Sequence, residues 1–141
     1  MKQPKFHFEN GIAKCVLYNK YGTFEGEAKC HPDDFDMESE KVGCDIAFSR
    51  ATIKSLMHAR DNVIKPSLNA LKQLYYSMNR SKHYNKKSYE SKMLWSQIQN
   101  WQMDLDTVNS MLKAERELLT NYINTKEALY QSIRKHRNGQ K

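Results

Sequence analysis

Lys5 to Cys30 read KFHFENGIAKCVLYNKYGTFEGEAKC, and this stretch decides the fold class. Asn10-Gly11 is a strong hairpin signal, because both residues accept the positive φ of a two-residue primed turn, and Asn19-Lys20-Tyr21-Gly22 supplies a second, four-residue turn. The flanking runs predict strands Lys5–Glu9, Ile12–Tyr18 and Thr23–Cys30. If the first turn pairs Glu9 with Ile12 and the second pairs Tyr18 with Thr23, then Phe6 opposes Cys15, Phe8 opposes Ala13, Leu17 opposes Phe24, and Cys15 also faces Gly26. Phe6, Phe8, Ala13, Cys15, Leu17, Phe24, Ala28 and Cys30 then share one apolar side, and Lys5, His7, Glu9, Lys14, Glu25, Glu27 and Lys29 share the other. A one-residue slip would send every side chain to the wrong side, so agreement of two independent turns on one apolar face fixes the register. The expectation is a three-stranded antiparallel sheet with one wet face.

The same register sets Cys15 opposite Gly26 rather than Cys30, which argues against a disulfide between the two cysteines. A metal site from Cys15, Cys30, His31 and Cys44 lacks the tight C-x₂-C pairs zinc prefers, so buried, inert thiols are expected and no metal.

Downstream of the sheet the pattern turns helical. Asp33-Asp34-Phe35-Asp36 offers a capping carboxylate, and from Met37 onward Val42, Ile46, Ile53, Leu56, Val63 and Ile64 recur at helical spacing. Pro66 either kinks this helix or begins a second one, and Leu68, Leu71, Leu74, Tyr75 and Met78 resume the stripe. Residues 80–88 read as a basic connector between a helical arm, 36–79, and a long helix, 89–137. In the latter, Leu94, Ile98, Trp101, Leu105, Val108, Leu112, Glu115, Leu119, Tyr122, Lys126, Leu129 and Ile133 alternate steps of four and three. That pattern predicts one helix of about 45 residues, near 70 Å at ~1.5 Å per residue. Glu115 and Lys126 would be the polar seam positions that fix register or partner number, and flanking Met111, Leu118 and Ile123 widen the stripe beyond a two-helix seam. The fold class is therefore α+β: a small sheet over 1–32, then a long antiparallel helical hairpin over 33–141 that packs in a dimer or higher oligomer, treated as one domain.

Composition narrows the function. A chain of 141 residues with 39% hydrophobic content fills one modest core, and no apolar run approaches the ~20 residues of a bilayer crossing. No charged-then-apolar leader opens the sequence, so a cytosolic product is expected. Of the net charge of +7, residues 62–92 alone carry seven basic groups against one acidic. Such a stretch attracts nucleic acid, nucleotides or an acidic protein face. No nucleophile elbow, P-loop, Rossmann glycine pattern or helical metal-ligand pair is present, and the five histidines are scattered, so catalysis is disfavoured and no cofactor is expected. Binding is better supported. Tyr75, Tyr76, Tyr84, Tyr89, Trp95 and Trp101 interleave with Arg80, Lys82, His83, Lys86, Lys87 and Lys92, a combination that suits a ligand with both a base and a phosphate. Arg134-Lys135-His136-Arg137 forms a second basic cluster at the end of the long helix.

Gly26-Glu27-Ala28-Lys29-Cys30-His31-Pro32-Asp33-Asp34-Phe35-Asp36, followed by Gly43, Ile46-Ala47-Phe48 and Arg50-Ala51, resembles a segment of small bacteriophage accessory proteins, among them the type 1 Thoeris anti-defence family. Lys29, Asp34, Phe35, Asp36 and Arg50 fall on the shared pattern. The resemblance implies a small sheet with long helices, assembly from dimers, and sequestration without cleavage of cyclic ADP-ribose isomers, in the cytoplasm of an infected bacterial host. The reading that follows is a non-catalytic counter-defence protein in which Arg50, Arg80, Arg116 and Arg134 meet phosphates and Tyr75, Tyr76 or Trp95 stacks on adenine. Its rivals are an anti-CRISPR-like inhibitor of a host defence protein and a basic nucleic-acid-binding accessory protein.

Overall fold

The structure, a computed structural model, describes residues 3–29, 39–80 and 89–139. Three strands, β1 (Lys5–Glu9), β2 (Ile12–Asn19) and β3 (Gly22–Lys29), are followed by α1 (Ser39–Ala59), a π-helical turn (Arg60–Ile64), α2 (Lys65–Asn79) and α3 (Tyr89–Gly139), so the chain is α+β. The aspartate cap at 33–36, Cys30-His31 and connector residues 81–88 lie outside the described residues.

The sheet is antiparallel in the order β1-β2-β3 and takes the expected register: Phe6 opposite Cys15, Phe8 opposite Ala13, Leu17 opposite Phe24, Cys15 opposite Gly26. Asn10 and Gly11 have φ of 54° and 76°, as a primed two-residue turn requires. The second turn is tighter than expected. Pairing continues to Asn19 with Gly22, leaving only Lys20-Tyr21 in the loop, and the Asn19 side-chain oxygen accepts the Tyr21 N–H at 2.9 Å. On the wet face Lys14 lies 3.7 Å from Glu25 and 3.6 Å from Glu27, exposed pairs that contribute little.

Packing divides the chain into two compact units, Met1–Ser55 with Leu112–Lys141, and Leu56–Met111. In the first, α1 covers the apolar side of the sheet, and the joint is built of small groups: Ala13, Cys15 and Ala28 against Ala47 and Ala51. Gly26 sits at the closest approach. A Cβ there would lie 2.1 Å from the Ala47 carbonyl oxygen and 2.6 Å from the Ala51 nitrogen, so only glycine lets the strand meet the helix backbone. At the end of this contact Asn19 Nδ2 donates to Ser55 Oγ at 2.6 Å. Cys15 is buried and Cys44 half-buried, both as free thiols; burial, reinforced by Cys44, pushes the Cys15 thiol pKa upward.

Two hydrogen bonds join α1 to the C-terminal part of α3. Ser49 Oγ donates to Glu115 Oε1, and Tyr122 Oη donates to Asp45 Oδ2 at 2.9 Å. Glu115, a polar intrusion in the apolar stripe, thus has a partner on the facing helix. Lys126, the other polar seam residue, lies 5.7 Å from the Tyr122 ring centre. The stripe departs from the heptad pattern near its end, because Leu129 is 49% exposed while Tyr130 is 8% exposed. Tyr130 follows the buried Leu112 by five full turns at ~3.6 residues per turn, whereas a heptad repeat drifts about 20° per seven residues on a straight helix. The chain follows the straight-helix period.

In the second unit, Pro66 neither breaks the helix nor opens it to a loop. The turn ahead of it widens instead: the Lys65 N–H bonds back to the Arg60 carbonyl, five residues away, and Pro66 enters the first turn of α2. Proline supplies no N–H and its ring crowds the carbonyl four residues back, and a π turn relieves both conflicts while keeping helical φ and ψ. Arg60 and Asp61 pair on this turn through contacts of 2.8 and 3.1 Å, a hydrogen bond that holds the Asp61 carboxyl below its ordinary pKa. Leu68 of α2 is buried with Leu94 and Ile98 of α3, and Leu71, Tyr75, Met78, Trp101 and Leu105 pack around them.

Candidate functional site

The aromatic groups that sequence spacing singled out meet in the second unit. The Tyr75 ring centre lies 5.2 Å from that of Trp95, tilted by 40°, and 6.0 Å from that of Tyr76 in an edge-on arrangement. Tyr75 rests half-buried on the Leu68, Leu94 and Ile98 core, which supports its ring from below. Tyr76 and Trp95 are 55% and 46% exposed, so each keeps about half its surface for a ligand. Trp101 is half-buried in the same cluster and belongs to the core.

Cations flank these rings through helical periodicity. Lys72, Tyr76 and Arg80 follow one another at four-residue steps, which puts them along one side of α2, and Lys92 precedes Trp95 by three residues on α3. Arg80 is exposed at the C-terminal end of α2. The neighbouring Asn79 Oδ1 is buried and accepts no hydrogen bond among the described residues. Lys72 and Asn79 escaped the sequence reading. The four-residue spacing to Tyr76 marks Lys72, whereas nothing in the sequence marks Asn79.

The other three candidate arginines lie in the first unit, each with its own surroundings. Arg50, on α1, is exposed, and its Nη1 already donates to the Glu27 carbonyl at 2.6 Å. It lines an open groove of about 390 Å³ with Glu25, Gly26, Glu27, Ile53 and Lys54. Two carboxylates in that lining make the groove a mixed electrostatic environment rather than a plain anion cradle. Arg116 borders a second groove of about 400 Å³ with Glu117, Thr120 and Asn121. Arg134 is half-buried and lies 3.4 Å from Glu127. Two clusters therefore emerge: rings with Lys72, Arg80 and Lys92 in one unit, and Arg50 with Lys54 in the other.

Lys82, His83, Tyr84, Lys86 and Lys87 lie outside the described residues. Among the described residues no three histidine, cysteine or carboxylate groups gather at metal-binding distance, and no helix is long and apolar enough to cross a membrane. His58 has Asn62 Nδ2 at 3.2 Å from its Nδ1, an ordinary partner one helical turn away. No protein family, no curated protein and no solved structure matches the chain.

Proposed function

We propose that the chain is a non-catalytic phage counter-defence protein that binds and sequesters a cyclic nucleotide immune signal of the cyclic ADP-ribose type. One observation carries this reading: the half-exposed rings of Tyr76 and Trp95 lie against Tyr75, which packs on an apolar core, and Lys72, Arg80 and Lys92 flank them at helical spacing. A base stacks on the rings, each such contact being worth about 1–3 kcal/mol, and the pyrophosphate meets the cations. The resemblance of residues 26–51 to the type 1 Thoeris anti-defence family supports the choice of ligand class.

In this reading the arm 36–79 and α3 form an antiparallel hairpin, and hairpins from neighbouring copies cover exposed apolar residues of α3, Met103, Met111 and Leu118 among them. Arg116 and Arg134 then reach phosphates at a junction between copies. Isothermal titration with a panel of cyclic ADP-ribose isomers and cyclic oligonucleotides tests the proposal: micromolar or tighter binding to at least one member supports it, and no heat of binding to any member refutes it.

A further inference from the structure

The two edges of the sheet are treated differently, and the difference points to a contact that does not depend on the nucleotide reading. In a two-residue hairpin the residues beside the turn exchange both backbone hydrogen bonds, so Glu9, His7 and Lys5 bond to β2 while the N–H and C=O groups of Phe6 and Phe8 point away from it. On β3 the same alternation leaves Glu25 and Glu27 pointing outward, and there the Glu27 carbonyl is taken by Arg50, with Lys54 beside it in the groove. Charged, covered edges of this kind resist pairing with another strand. The β1 edge meets no strand among the described residues. Phe6 is 45% exposed beside Phe48, 40% exposed, their ring centres 6.3 Å apart, and because Pro4 has no N–H the outward donors of this edge among the described residues are those of Phe6 and Phe8.

We infer that β1 is a self-association edge that pairs antiparallel with β1 of a second copy across a two-fold axis at His7, joining two sheets into one of six strands. The occupant is argued from the strand itself. Lys5-Phe6-His7-Phe8-Glu9 read against its own reverse sets Lys5 opposite Glu9 of the second copy, Phe6 opposite Phe8, and His7 opposite His7. In this register the outward groups of Phe6 and Phe8 supply four inter-chain backbone bonds, the phenylalanines meet on the apolar side, and two opposite-charge pairs form on the wet side. A two-fold contact needs a surface that complements itself, and this five-residue strand does so in charge and in apolarity at once.

Sedimentation over a dilution series, with circular dichroism to confirm folding, tests the pairing on the full chain. Lys5→Glu and Glu9→Lys, each at an exposed position, replace two attractive pairs with two repulsive ones and are expected to weaken the association step roughly tenfold. Mixing the two variants sets an acidic strand end against a basic one at both pairs between chains, so the mixture is expected to regain wild-type association. Lys5 also lies 5.9 Å from the Tyr18 ring centre, but loss of that contact within one chain cannot be restored by mixing. A monomeric wild type, single variants that associate like wild type, or a mixture no stronger than its components would overturn the inference.

Discussion

Gly26→Ala probes the joint between sheet and helix on which the first unit depends. The added Cβ would sit 2.1 Å from the Ala47 oxygen, more than 1 Å inside the 3.4 Å at which ordinary van der Waals contact begins, and it would meet the Ala51 nitrogen as well. Both obstacles are backbone atoms, so no rotamer change clears them, and α1 must lift from β3. Overpacking of this kind costs about 1–3 kcal/mol, occasionally more, while alanine recovers about 0.4–1 kcal/mol by restricting the unfolded chain. A net loss of about 2 kcal/mol lowers Tm by roughly 8 °C for a chain of this size. Thermal unfolding followed by far-ultraviolet circular dichroism reads the shift. Adding Ala47→Gly gives no rescue, because the clash is with the Ala47 carbonyl and not its methyl, and the double variant loses about 1 kcal/mol more from helix propensity. A Gly26→Ala protein that melts within about 2 °C of wild type would refute the close approach.

Ser49→Ala removes the partner of Glu115 and is expected to cost about 1–2 kcal/mol, with a double-mutant cycle against Glu115→Ala showing clear coupling. Tyr122→Phe removes the hydroxyl that donates to Asp45 and is expected to cost about 1 kcal/mol in a urea titration. If the proposed nucleotide site is correct, Trp95→Ala and Tyr76→Ala are each expected to weaken binding by about 1–3 kcal/mol in calorimetry while moving Tm little, because both rings are half exposed. Burial raises the Cys15 pKa in the folded chain, so the unfolded chain sheds its thiol proton first. The contribution of Cys15 is therefore complete below the ordinary thiol range and is lost as pH rises above about 9. Denaturation midpoints measured from pH 8 to pH 10.5 are expected to fall, and Cys15→Ala to flatten that fall.

The sheet could be read from the sequence because its information is local: Asn10-Gly11 fixes one turn, and alternation of Phe6, Phe8, Ala13, Cys15 and Leu17 fixes the face. The second turn came out shorter than expected because pairing of Asn19 with Gly22 adds one more step of ladder, a gain that spacing alone does not register. Helix α3 was legible in extent from its unbroken apolar steps. Its late departure from the heptad was not, since Leu129 and Tyr130 are both plausible seam residues and only the helical period chooses between them. Pro66 left two outcomes open, and the π turn satisfies both of its demands without ending the helix. At the candidate site, apolar spacing brought Tyr75 and Trp95 together because the core beneath them is the stripe itself. The engagement of Arg50 with Glu27 depends on a contact between distant segments that no local pattern encodes.

The most direct test of sequestration is the fate of the ligand. The purified protein is incubated with each cyclic ADP-ribose isomer, freed of unbound ligand by gel filtration and heated to unfold it, and the released molecule is identified by chromatography against standards. Recovery of an unaltered cyclic nucleotide in stoichiometric amount is the predicted result. Recovery of a linear product, or of no nucleotide from any isomer, would contradict it.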